Sequence, residues 1–206
     1  MNIRHAITLV SFVLLQAVAH AQTPELPIIS SVAQKAKDFI PNGWKEDKRV
    51  GEVSEDFNND GLQDLCYIAR KDGVSILFII LARNDGYFVK SFAGVIYAAE
   101  YLEKINKRGK TLALTFDFPN YEGTHFVTTY ARYQDKDWYV IGYKEDNYTG
   151  NGKTTKGTGK DVNLVTGDIE EFTLAGTAKT LKKKSKEQKK PLLLLQNVDN
   201  LSVLNW

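Results

Sequence analysis

The most constraining feature of this sequence is a series of short segments in which apolar residues recur at every second position. Turn residues separate them, and Asp72-Gly73 and Asp85-Gly86 are pairs that favour the positive φ angles of tight hairpins. This succession predicts an antiparallel β meander. The predicted strands are Asp64 to Arg70, Val74 to Arg83, Tyr87 to Phe92, Thr111 to Phe118, Thr124 to Tyr133, Trp138 to Glu145, Asp161 to Thr166 and Ile169 to Leu174.

Two of these segments differ in how they should be buried. From Val74 to Ala82, every residue except Ser75 and Ala82 has a large apolar side chain, which predicts a central strand covered on both faces. From Thr111 to Phe118, large apolar residues alternate with smaller or polar ones, which predicts one dry face and one wetter face.

A different period precedes the meander. From Pro27 to Ile40, apolar residues are spaced by three and four positions, with Ser30 or Ser31 available as an N-cap and Pro41-Asn42-Gly43 as a stop. We therefore expect an N-terminal helix followed by a predominantly antiparallel β meander in a single α+β domain. We do not expect a full propeller, because a propeller requires several repeated blades. Ala93 to Ile105 fits either a short helix or an irregular crossover.

The first 21 residues have the pattern of a secretory signal peptide. Arg4 supplies the charged start, Ala6 to Val18 is apolar, and Ala19-His20-Ala21 is a small-x-small cleavage site. Cleavage would leave a domain of residues 22–206 in the periplasm or outside the cell. That mature chain would contain one cysteine, Cys66, and one histidine, His125, which excludes an intramolecular disulfide and a multi-histidine centre.

One motif carries recognisable chemistry. Residues 56–64 read Asp-Phe-Asn-Asn-Asp-Gly-Leu-Gln-Asp, with oxygen-bearing side chains at positions 1, 3, 5 and 9 and glycine at position 6. Ca²⁺ takes six to eight oxygen ligands, and this alternation suits it. An EF-hand would need a glutamate at position 12, where this sequence has Tyr67. The alternative is a turn-forming role alone, because Asp, Asn and Gly all favour turns.

The stretch from Asp56 to Ile68 resembles the calcium loop of FG-GAP and VCBS-type repeats, in which such a loop runs directly into a hydrophobic strand. It is also similar to small secreted bacterial proteins that carry one such loop followed by a segment like Trp138-Tyr139-Val140-Ile141-Gly142. The resemblance implies a Ca²⁺ cofactor and no catalytic residues. It implies as ligands Asp56, Asn58, Asp60, Leu62 through its carbonyl, and Asp64.

The remaining candidates concern partners and catalysis. His125 near Asp117 could form a proton-transfer pair, and carboxylates with His125 would then make an envelope hydrolase. Aromatic residues of two neighbouring strands could form a binding face, and core packing explains them equally well: Tyr130, Tyr133, Trp138, Tyr139 and Tyr143.

The segment Lys179 to Lys190 carries seven lysines and one glutamate, whereas the rest of the mature chain has 19 basic and 24 acidic residues, a net charge of −5. This basic segment could meet an acidic protein or an anionic membrane surface, or could be a solvated face.

From the signal peptide, the calcium loop and the basic segment together, we expect an exported, calcium-stabilised binding or inhibitor-type protein without a catalytic role. Its partner would be a protein or another envelope component rather than nucleic acid.

Overall fold

The computed structural model describes residues 27–96, 98–120, 123–149, 156–176, 178–189 and 191–197, and the predicted signal peptide lies outside them. The described chain folds into two antiparallel sheets. The strands are β1 (Val32–Ala33), β2 (Lys45–Glu46), β3 (Val53–Glu55), β4 (Asp64–Lys71), β5 (Val74–Ala82), β6 (Phe88–Val95), β7 (Leu102–Arg108), β8 (Thr111–Asn120), β9 (Gly123–Gln134), β10 (Asp137–Thr149), β11 (Lys156–Asn163), β12 (Asp168–Ala175), β13 (Ala178–Lys186) and β14 (Leu193–Leu194).

The first sheet has six strands in the order β1-β6-β5-β4-β2, with β3 also paired to β4. The second has eight strands. Its strands β7 to β13 follow one another in chain order, and β14 pairs with the start of β10. The meander predicted from the alternating segments is thus present, most completely in the second sheet.

The two sheets pack face to face over one hydrophobic core. The first sheet contributes alternate residues of β4 and β5, such as Ile68 and Leu77, and the second contributes residues of β7 to β10, such as Leu114 and Trp138. Strands β11 to β13 contribute none of the buried residues of this core. They form a wing of the second sheet that extends beyond the inter-sheet core.

Strand β5 is covered on both faces, as its continuous apolar run predicts. Leu77 and Ile79 face the inter-sheet core, whereas Ile76, Phe78 and Ile80 belong to a second cluster on the opposite face. Residues from the N-terminal segment, including Phe39 and Trp44, cover that second cluster.

The predicted N-terminal helix, and with it the α+β class, is wrong. Residues 27–40 contain the short strand β1 and a single 3₁₀ turn at Ala36–Phe39, and two further 3₁₀ turns lie at Ala99–Tyr101 and Leu195–Asn197. Every helical element of the described chain is thus four residues or shorter, and the described fold is antiparallel β. None of these helices is long and apolar enough to cross a bilayer.

The correction has a physical cause. Val32 and Ala33 pair with Val89 and Phe88 of β6, so the edge of the first sheet satisfies backbone groups that a helix would have bonded internally. The Ser30 hydroxyl bonds both the N–H and the carbonyl of Val32 instead of capping a helix. The segment is extended at Val32–Ala33, where the β-branched Val32 favours a strand. Its apolar residues are spaced as in a helix, but they pack against the first sheet from this non-helical segment.

Candidate functional site

The loop 56–64 is the connection of a β-hairpin. It follows β3, which pairs antiparallel with β4 so that Glu55 lies opposite Asp64, the first residue of β4. The sequence predicted the strand after the loop and missed the three-residue strand before it. The hairpin brings the first and last predicted ligands, Asp56 and Asp64, to the same end of the first sheet.

Side-chain oxygens hold the outer part of the loop through backbone amides. Asp56 accepts hydrogen bonds from the N–H groups of Asp60 at 3.1 Å and Gly61 at 3.2 Å, and Asn58 also accepts one from Asp60 at 3.1 Å. Asp60 accepts from the Leu62 N–H at 2.8 Å and from the Asn58 amide at 2.8 Å. Gly61 has a φ of +88°, a backbone conformation that a side chain would strain.

Asp64 anchors the inner end of the loop. Its side chain is fully buried, with one oxygen accepting the Phe57 N–H and the other the Ala82 N–H, both at 2.9 Å. Burial raises the pKa of Asp64, and the negative charges of Asp60 and Asp56 raise it further, against the lowering effect of the two N–H donors. Asp64 thus ties the loop to β5, the central strand of the first sheet.

Phe57, the second residue of the loop, points into the inter-sheet core. It is 1% exposed, and its ring packs edge-on against Trp138 of β10 with 5.2 Å between centroids. The loop therefore contacts the Trp-Tyr-x-Ile-Gly segment that the sequence singled out separately. Its conformation is coupled to the packing of both sheets.

One cation of the chain already reaches the loop. The Lys110 ammonium lies 3.5 Å from an Asp56 carboxylate oxygen and also contacts the Asn59 side chain. Burial pushes the pKa of Asp56 upward, but the N–H donors of Gly61 and Asp60 together with the Lys110 ammonium hold it below its ordinary value. Asp56 is therefore an ionised carboxylate.

The donor set of the loop suits a hard cation. Each carboxylate oxygen has two lone pairs, and most of those in the loop accept a single hydrogen bond from the protein. Asn58 and Asp60 also line an open cleft together with residues 81–85, so their side chains are accessible to an ion. Among the described residues, no group of three or more His, Cys, Asp or Glu side chains is already arranged as a metal site. Calcium binding would therefore have to replace some of the hydrogen bonds within the loop.

The hypothetical His125–Asp117 pair does not form. His125 on β9 lies opposite Phe118 of β8, with 6.0 Å between their rings, whereas Asp117 lies opposite Phe126. Neighbouring residues of a strand point to opposite faces, so the two side chains are separated by the sheet. Cys66 is fully buried, and burial raises the pKa of its thiol, which removes it as a nucleophile.

The predicted aromatic face is divided between the two sides of the second sheet. Trp138 and Tyr133 pack at the inter-sheet core, and Tyr143 joins a small cluster with Val162 and Ile169 on the same side. Tyr130 lies opposite Gly142 beyond a β-bulge, on the other side of the sheet. Core packing accounts for the buried members, and the five aromatics do not form a common binding face.

The first part of the basic segment, Lys179 to Lys186, lies on the edge strand β13 (Ala178–Lys186). Lys183 lies 3.7 Å from Glu171, Lys184 3.1 Å from Glu170 and Lys186 3.8 Å from Asp168, all on the neighbouring strand β12. No strand was predicted here because the apolar content of the segment is low, although Leu181 alternates with polar neighbours. Lys190 lies outside the described residues.

Comparison with known proteins adds no relative. No protein-family model, no curated protein and no solved structure matches the chain.

Proposed function

We propose that this chain is an exported binding protein without a catalytic role, and that Ca²⁺ held by the loop 56–64 stabilises its two-sheet fold. The observation that carries the proposal is the position of the loop. Its oxygen-rich outer part is accessible, whereas Phe57 and Asp64 fix its inner part to the core.

The ion would be held by Asp56, Asn58, Asp60, Asp64 and the Leu62 carbonyl. When bound, it would supply positive charge among three aspartates that otherwise repel one another, because like charges close together disfavour the ionised forms. Burial is the main cause of the raised pKa of Asp64, and the charges of Asp60 and Asp56 add to it. Because Asp64 bonds to the first sheet and Phe57 packs against the second, ordering the loop would stabilise the whole domain.

The binding role is supported by the shape of the second sheet. Its wing, β11 to β13, lies outside the inter-sheet core and offers a surface that the first sheet does not cover. The separation of His125 from Asp117 removes the one proton-transfer pair that was named for the hydrolase alternative. An inhibitor-type role would use the same exposed surface.

Isothermal titration of Ca²⁺ into the metal-free protein tests the calcium part. Asp60→Asn keeps an oxygen that accepts the Leu62 N–H but removes one negative charge, so we expect calcium affinity to fall at least about tenfold. Glu103→Gln, an exposed carboxylate on β7, removes the same charge outside the loop and serves as the control. Equal affinities of both variants and the parent would show that calcium does not bind in this loop.

A further inference from the structure

The strand β13 is an open edge of the second sheet. Its only strand neighbour among the described residues is β12, and every residue of it except Ser185 is exposed. An edge strand leaves alternate backbone N–H and C=O groups without ladder partners. Nine residues at about 3.3 Å each give an edge of about 30 Å, with a β-bulge at Lys182 where the register with β12 shifts.

The charge of this edge is of one sign. Lysines 179, 182, 183, 184 and 186 lie on β13, which carries no acidic residue. Pairing with β13 of a second copy would set lysine against lysine, and like charges directly opposite are destabilising. The edge thus disfavours self-association while remaining available to a strand of opposite charge.

The lysines are distributed over both faces of the strand. Lys179, Lys184 and Lys186 lie opposite Leu174, Glu170 and Asp168, on the face that carries Phe172. Lys183 lies opposite Glu171, on the other face. Three of these four lysines share one face, but Lys184 and Lys186 are paired there with acidic residues of β12, which lowers the net charge that a flat membrane would meet. The unpaired backbone groups lie along the edge, so an extended segment running along β13 fits the arrangement better.

Apolar contact is also available beside the charges. Leu181 is 52% exposed, and it lies opposite Phe172, whose ring is covered by the Lys179 ammonium at 3.8 Å from the centroid. An incoming strand that alternates acidic and β-branched residues could place its carboxylates on the face of Lys179, Lys184 and Lys186, where the methylene groups of the acidic side chains would contact Leu181. Opposite-charge cross-strand pairs stabilise sheets.

We propose that β13 is a docking edge for an extended acidic segment of a partner protein, which adds to the second sheet as a further antiparallel or parallel strand. The inference deepens the proposed binding role and rests on it. Main-chain hydrogen bonds would supply affinity, and the lysines would select for acidic sequences.

Fluorescence anisotropy with a labelled nine-residue peptide of alternating Glu and Val tests this docking edge. The full chain should bind the peptide, and N-methylation of every second peptide residue should weaken binding at least about tenfold, because it removes ladder N–H groups without changing charge. Equal binding of the methylated peptide would overturn strand addition in favour of charge attraction alone. Binding to phosphatidylglycerol vesicles but not to the peptide would overturn the choice of partner.

Two matched triple variants locate the effect. Changing Lys182, Lys183 and Lys184 to Gln should weaken peptide binding, whereas changing Lys35, Lys45 and Lys48, exposed lysines of the first half of the chain, should leave it unchanged. Equal loss in both would contradict the assignment to β13. Each variant is also melted with calcium and with chelator, so that failure at the edge, with an intact calcium response, is distinguished from failure of the calcium proposal.

Discussion

The ring of Phe57 packs edge-on against Trp138, with 5.2 Å between centroids and an interplanar angle of 73°. Phe57 is a residue of the loop 56–64, and Trp138 lies on β10 of the other sheet. The Trp138 indole N–H also donates to the Ser91 hydroxyl of β6 at 3.1 Å. This pair of rings is thus the direct connection between the candidate calcium loop and the inter-sheet core.

Removing this contact should affect stability and ion binding together. We expect Phe57→Ala to lower the free energy of unfolding by about 3–5 kcal/mol, the usual cost of deleting a buried aromatic ring. Urea denaturation measures this cost, and calorimetry should show weaker calcium binding. Tyr87→Ala, at a side chain that is 41% exposed, is the control and should cost far less. A Phe57 variant as stable as this control would refute the coupling.

Lys110 should compete with calcium for Asp56. Replacing it with Gln removes the ammonium that lies 3.5 Å from the Asp56 carboxylate, so calcium affinity should rise about threefold. Lys104→Gln removes an equal charge from an exposed position on β7 and should change affinity less. Reduced affinity in the Lys110 variant would show that this side chain supports the loop rather than opposing the ion.

Asp47 should make the fold sensitive to acid. The hydrogen-bonded Arg49 guanidinium holds the pKa of Asp47 below its ordinary value despite burial, and Arg70 at 3.5 Å contributes. A lowered pKa in the folded state gives stability above the unfolded value of about 3.9, and this stability is lost as pH falls through the folded value. The difference in melting temperature between the parent and Asp47→Asn should therefore shrink below about pH 4. A difference independent of pH would exclude this carboxylate as the cause.

Gly159 should tolerate no side chain. A Cβ there would lie 2.2 Å from the Phe172 ring and 2.7 Å from an Asp146 oxygen, so Gly159→Ala should destabilise by about 1–3 kcal/mol through overpacking. Chemical denaturation gives the value. Thr158→Ala, at the exposed neighbouring position, is the control. Similar stability of the two variants would show that the wing is packed less tightly than described.

Much of the second sheet could be predicted from sequence because its strands alternate and its turns carry distinctive residues. In the first sheet, the continuous apolar run of Val74–Ala82 also predicted correctly that both faces of this strand are buried. The two edge strands of the second sheet, β7 and β13, were not predicted because edge strands need little apolar content. Both carry lysines, which are common on exposed edge strands. The helix predicted for the N-terminal segment was wrong because strand partners distant in sequence, Val89 and Phe88, decide the conformation of Val32 and Ala33.

The site could be predicted in part. Alternating oxygens mark residues 56–64, but sequence spacing could not show that Phe57 is buried against Trp138, about 80 residues later in the chain. Nor could it place His125 and Asp117 on opposite faces, since that depends on the register between β8 and β9. Local patterns specify local chemistry, whereas the pairing of strands decides which side chains meet.

The most direct test of calcium stabilisation is thermal unfolding of residues 22–206 with Ca²⁺ and with chelator. At a hundredfold excess over Kd, a ligand that binds only the folded state adds about 2.7 kcal/mol, which corresponds to a rise of about 5–10 °C in Tm for a domain of this size. We expect the calcium curve to shift upward by this amount and Asp60→Asn to lose most of the shift. Superimposable curves, from protein verified to be metal-free after chelation, would contradict the account.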